Sequence, residues 1–175
     1  MNAVHIHLLL NHVPVIGTFI AVLLLGYALL RRSQALVRAG LGMLVLVALA
    51  AGVVYVTGEP AEELVEGLAG TSMPILERHE EAALVAVLLL GLAALFAFAI
   101  LLVFRRRESG IPWRFATAAF LFALLPAAAM GYVANLGGQI RHPEIRTEVI
   151  ATPGEGADTA TSTAATAHRE PRERE

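Results

Sequence analysis

Five histidines, His5, His7, His12, His79 and His142, fall where the long apolar runs of the chain end on one common side, and imidazoles gathered there suit three chemistries. A b-type haem needs two axial nitrogens from facing helices and a slot between them, which Ala48, Ala50, Ala51, Gly52 and Ala127 to Ala129 would wall. A zinc or copper ion needs three or four nitrogen or oxygen ligands, which His12, His79, His142 and Glu80 would supply. A proton relay or pH-responsive site needs only titratable side chains near the membrane boundary. The chain has no His-Glu-x-x-His pair, no glycine-rich phosphate loop and no readable nucleophile–base pair, so no catalytic residue is assigned.

The local setting of each histidine separates them. Asn11 and His12 precede Pro14, whose ring cannot donate to the Leu10 carbonyl, so a helix kinks or begins there. A polar pair at such a break is costly in lipid, which predicts that Asn11 and His12 face the bundle interior. The plainer alternative for His12 is a helix cap or an interhelical hydrogen bond. In helical geometry His5 shares a face with His12 and His7 lies roughly 140° round; both are read as solvated at the interface. His79 stands in Glu77-Arg78-His79-Glu80-Glu81, where a carboxylate can fix the ring while its other nitrogen binds a ligand. Its alternative is an exposed helix face. Gly137 and Gly138 precede His142 and permit a tight turn that would fold the segment back over the mouth of the bundle. Without that turn, His142 points into solvent.

Four apolar runs must position these residues: about 8–30, 36–56, 80–104 and 115–136. About 20 apolar residues at 1.5 Å each cross a hydrocarbon core of about 30 Å. A soluble domain of 175 residues would show amphipathic stripes, whereas these runs are apolar on every face. The predicted fold is therefore an all-α integral membrane bundle of four transmembrane helices, occupying residues 1–148.

The formal charge of −2 conceals a sharp separation. Arg31, Arg32 and Arg38 lie in the turn between the first two runs, and Arg105, Arg106, Arg107 and Arg114 in the turn between the last two. The opposite connection holds Glu59, Glu62, Glu63, Glu66, Glu77, Glu80 and Glu81 against Arg78 alone. By the positive-inside rule both arginine turns are cytoplasmic, and both termini and the acidic loop face the periplasm. The localisation that follows is the cell inner membrane, multi-pass. Bases confined to a membrane boundary give no case for nucleic acid. The first run lacks a basic segment before it and carries its bases after it, which predicts a retained span and not a cleaved signal. With no cysteine there is no thiolate metal site, iron–sulfur cluster or covalent haem attachment.

Gly58-Glu59-Pro60 ends the second run and starts a short amphipathic helix with Leu64, Val65 and Leu68 against the membrane surface. Thr71-Ser72 reads as an N-cap, with Pro74 in the first turn of a helix running unbroken through His79 into the third span. Residues 149–175, rich in Ala, Thr, Gly, Pro, Glu and Arg, read as a disordered tail in which His168 is solvated. An internal echo is also visible. Gly52-Val-Val-Tyr-Val-Thr-Gly58 and Gly131-Tyr-Val-Ala-Asn-Leu-Gly137 close the second and fourth runs, and His12 and His79 mark the starts of the preceding ones. The chain reads either as two related hairpins or as a coincidence of common glycines.

The segment His7-Leu-Leu-Leu-Asn-His12-Val-Pro14-Val-Ile-Gly17, the turn Thr57 to Ala61, the entry His79-Glu-Glu-Ala-Ala-Leu84 and the closing Gly137-Gly138 and His142 together resemble a bacterial four-span membrane family. That family is domain of unknown function 2231, and the resemblance covers residues 5–146. Val13 departs from it where an aromatic is usual, and Pro143 where glycine is common. Members beside or fused to cytochrome-like domains imply redox work at the outer membrane face.

These readings converge on a membrane redox subunit that binds haem b near the outer face through His12 and His79, with His142 nearby and Asn11, Pro14, Gly58, Gly137 and Gly138 in support. Its partners would be the lipid bilayer and a cytochrome or other membrane redox protein, and a homo-oligomer is compatible. The alternative is a non-catalytic assembly or sensor protein with a zinc, copper or pH-responsive histidine site, or with no cofactor. A channel or transporter ranks below both, because the spans carry no charge pair at mid-membrane.

Overall fold

A computed structural model describes residues 2–66, 68 and 70–146. The proposed tail at 149–175, with His168, lies outside the described residues. The helices are α1 (Ala3–Leu10), α2 (His12–Arg31), α3 (Gln34–Val56), α4 (Glu59–Glu66), α5 (Met73–Val103) and α6 (Trp113–Arg141), followed by a single 3-10 turn, Pro143–Ile145. Four helical stretches are long and apolar enough to span a membrane: Ala3–Arg31, Gln34–Val56, Met73–Val103 and Trp113–Arg141.

Local chemistry sets the helix ends. The Asn2 side chain accepts from the His5 amide at 3.0 Å and opens α1. The chain breaks at Asn11 and restarts as α2 with Pro14 in its first turn, as the missing proline N–H requires. Ser33 caps α3 after Arg32 adopts the left-handed conformation, φ 49°, that ends α2. Gly58 turns the chain into α4 by accepting the Ala61 and Glu62 amides, both at 2.9 Å. Pro74 sits in the first turn of α5, which continues unbroken past His79. One expectation fails here. Gly137 and Gly138 make no turn; α6 runs through both to Arg141, because glycine weakens a helix without ending one held by its neighbours.

Within the bundle α2 packs on α3 and α6, and α5 packs on α6 and α3, so the first and third spans stand diagonally opposed. The core between them is built from leucines and alanines, with Leu25, Leu41, Leu44 and Leu90 fully buried. Small residues bring backbones together, since lipid offers no hydrophobic drive to helix association. A Cβ on Gly17 would stand 2.5 Å from a Val47 methyl, and one on Gly40 would stand 2.8 Å from Leu25. Thr18, the buried polar residue among those described, donates its hydroxyl to the Pro14 carbonyl at 2.6 Å. Large apolar side chains such as Leu23, Leu49, Leu88, Leu95 and Leu121 cover the outside, a surface suited to hydrocarbon.

The arginine-bearing end is stitched across the bundle. The Gln34 amide donates to the Ile111 carbonyl at 3.0 Å and accepts from the Ile111 amide at 2.8 Å. Gly110 has φ +75° and lies so close that a Cβ would meet the Gln34 oxygen at 2.6 Å. Arg38 donates to the Phe104 carbonyl at 3.1 Å, and Arg107 stands 5.6 Å over the Phe104 ring.

Candidate functional site

The opposite end carries the histidines, and two of them are held by the bundle. Gly58 spends its amide on the Tyr55 carbonyl, so the Val54 carbonyl in the last turn of α3 lacks the amide that would ordinarily take it. The Thr57 hydroxyl reaches that oxygen at 3.1 Å while also bonding the Val53 carbonyl at 2.9 Å, and His7 on α1 is its second partner, with Nδ1 3.0 Å from the Val54 oxygen. His79 reaches from α5 to a carbonyl within α6, with Nδ1 3.1 Å from the Val133 oxygen. Val133 lies four residues before Gly137, and a Cβ there would sit 3.2 Å from the His79 ring. The bare glycine therefore opens a mid-helix carbonyl to a second donor. A carbonyl only accepts, so Nδ1 carries the proton in each neutral ring and Nε2 keeps a lone pair.

His7 and His79 are thus both held at this end of the bundle. By helical spacing, the next buried layer beneath them is Pro14 and Ala86 on their own helices, with Ala51 and Met130 on the partners. This end of the bundle thus offers two oriented imidazoles from diagonally opposed spans over a floor of mostly small side chains.

The other predicted site residues are placed differently. His12 is exposed and makes no hydrogen bond to a described residue, so it does not face the interior as its neighbour Pro14 suggested. Asn11 does turn partly inward, and its Oδ1 is enclosed without a partner. His5 is exposed and its Nδ1 lies 2.6 Å from Asn2 Oδ1. His142 is exposed at the C-cap of α6, where its amide donates to the Gly138 carbonyl at 3.1 Å. Glu80 is exposed on the outer face of α5. Among the described residues no three histidine or carboxylate side chains stand together as a metal ion would need, and the set His12, His79, His142 and Glu80 is not gathered.

Carboxylates crowd this end. Glu62 on α4 is pushed above the usual carboxylate range by burial first, then by the charges of Glu80, Glu66 and Glu59. An open groove of about 520 Å³ runs between α1 and α4, lined by Asn2, His5, Leu8, Pro60, Glu63 and Leu64.

No family model matches the chain, nor does any curated protein or solved structure. Sequence reasoning singled out His79 and missed His7, and the signal that identifies His7 is the position of Gly58, four residues beyond the carbonyl that holds the ring.

Proposed function

We propose that the chain is a multi-pass redox subunit of the cell inner membrane in which His7 and His79 would hold a b-type haem near the periplasmic face. The observation that carries this reading is the matched anchoring of the two rings. Haem-ligating histidines donate one ring N–H to a carbonyl or carboxylate and present the other nitrogen, and both rings here are held in that way. A haem asks for two nitrogens from opposite sides, which the diagonal placement of the first and third spans allows; zinc asks for three or four ligands, and the described residues bring together no such group. His12 does not fit this role, since it is exposed and no carbonyl of the described residues anchors its ring.

When bound, the haem would supply one-electron transfer at the membrane surface, to or from a cytochrome or other membrane redox protein. The chain's own residues would hold and orient it: the Val54 and Val133 carbonyls fix the imidazoles, and the arginine turns set the periplasmic placement by the positive-inside rule. The resemblance to domain of unknown function 2231 is in keeping with this reading. A second reading, a pH-responsive site, draws on the two anchored imidazoles at one end of the bundle, side chains able to titrate near neutral pH.

The test is the visible spectrum of full-length protein expressed with ample haem. The expected result is a bis-histidine absorption that His7→Ala or His79→Ala abolishes and His12→Ala leaves intact. Colourless protein, or a spectrum unchanged in both His7→Ala and His79→Ala, would overturn the haem assignment.

A further inference from the structure

The two anchored rings are related to one another by more than their chemistry. His7 stands to Val54 and Gly58 as His79 stands to Val133 and Gly137: in each set a ring on the first helix of a hairpin bonds a carbonyl on its second helix, four residues before a glycine. Carrying His7 onto His79 fixes a single offset for the first helices, and most of their buried residues then coincide, with Gly17 of α2 and Leu76 and Ala94 of α5 as exceptions. Pro14, Thr18, Ala21, Leu25 and Ala28 of α2 fall on Ala86, Leu90, Ala93, Ala97 and Ile100 of α5.

The second helices behave alike. Carrying Val54 onto Val133 places Val37, Gly40, Leu44, Val47 and Ala51 of α3 on Ala116, Ala119, Ala123, Pro126 and Met130 of α6, all buried. The offsets come from the histidines and their acceptors, while the burial is set along the whole length of the spans. The packing agrees too, since the two contacts inside hairpins are of nearly equal extent, as are the two between hairpins.

We infer that the bundle is a fused pair of equivalent hairpins, each contributing one imidazole to a shared two-nitrogen site, and that Gly58 and Gly137 are the positioning residues that fix the tautomer of those imidazoles. The assignment rests on the reading of this end as a ligand site, and it replaces His12 by His7 as the counterpart of His79. Gly137 keeps the Val133 carbonyl open to a second donor. Gly58 withdraws its amide from Val54, with room for the His7 ring 3.6 Å from where a Cβ would stand. Ligation is then available only through Nε2, and the two ligands enter the site alike.

The experiment is nitrogen NMR of ring-labelled histidine in full-length protein without haem, in detergent, above the titration range of imidazole. His7 and His79, assigned by the signals lost in His7→Gln and His79→Gln, should both show the Nδ1–H tautomer, while exposed His12 should show the Nε2–H form that free imidazole side chains favour. Gly137→Ala should displace the His79 signals and leave those of His7 in place. Gly91→Ala, where a Cβ meets nothing within 4 Å, should displace neither. An Nε2–H tautomer at His7 or His79 in the unaltered protein would overturn the inference, as would a Gly137→Ala spectrum matching Gly91→Ala. Protein that never binds haem yet shows both Nδ1–H tautomers would refute the redox reading alone. Protein that binds haem through rings indifferent to Gly137 would refute the positioning role alone.

Discussion

At the scale of single residues, the histidines show how much depends on a neighbour that sequence does not display. His7 and His12 lie on either side of the break before Pro14, and the spacing between them says only that they face different ways. Which of them turns inward is decided by Val54 near the end of α3 and by Gly58 in the turn that follows. His79 was legible because its place at the entry to a long apolar run puts it at the boundary in any bundle. Gly137 was legible as important but not for its reason, because a glycine that makes room looks the same in sequence as one that makes a turn.

Glu62 gives a prediction of its own at this scale. Its carboxyl is held above the ordinary range by burial and by Glu80, Glu66 and Glu59, so ionising it costs the folded state more than the unfolded one. For a raised acid the relief is complete below its ordinary value and is lost as pH rises through the folded value. Glu62→Gln should therefore raise thermal stability in detergent at neutral pH, by on the order of 0.5 kcal/mol or less given solvent screening. The gain should vanish when the melting curves are repeated in acid. A gain that persists in acid would place the effect outside charge.

At the scale of elements, the four spans and the short acidic helix α4 could be read from apolar length, from Pro14, Ser72 and Pro74, and from the glutamates after Gly58. Their mutual packing could not, because every face of each span is apolar and periodicity then marks no inner side. The close approaches at Gly17 and Gly40 emerge only once partners are known. Gly17→Ala sets a methyl against stiff, β-branched Val47 at 2.5 Å and should destabilise the bundle by about 1–3 kcal/mol. Gly42→Ala, in open space, should be neutral or slightly stabilising through helix propensity. Equal melting temperatures for the two variants would show that α2 and α3 are packed more loosely than their backbones indicate. Gln34 was equally invisible: a lone glutamine beside a cap carries no sequence signal, yet it clasps both backbone groups of Ile111.

At the scale of the whole molecule, the hairpins repeat without inversion. Both first helices run from the histidine end to the arginine end, and both second helices return. Each hairpin has an even number of crossings, so joining a second copy leaves every segment on the side it already occupied. Each copy also carries its own basic turn, Arg31 and Arg32 in one and Arg105 to Arg107 in the other. By the positive-inside rule, orientation during insertion would then be specified twice, by separate signals. Reporter fusions after Arg32 and Arg107 should report the cytoplasm and one after Gly70 the exported side. Neutralising either basic turn alone should leave that pattern standing, whereas neutralising both should yield mixed or reversed chains. Reversal by one turn alone would show that a single hairpin governs the other. A membrane protein built this way can lose one of its addresses by mutation and still be delivered facing the right way, which leaves each arginine turn free to drift so long as its twin holds.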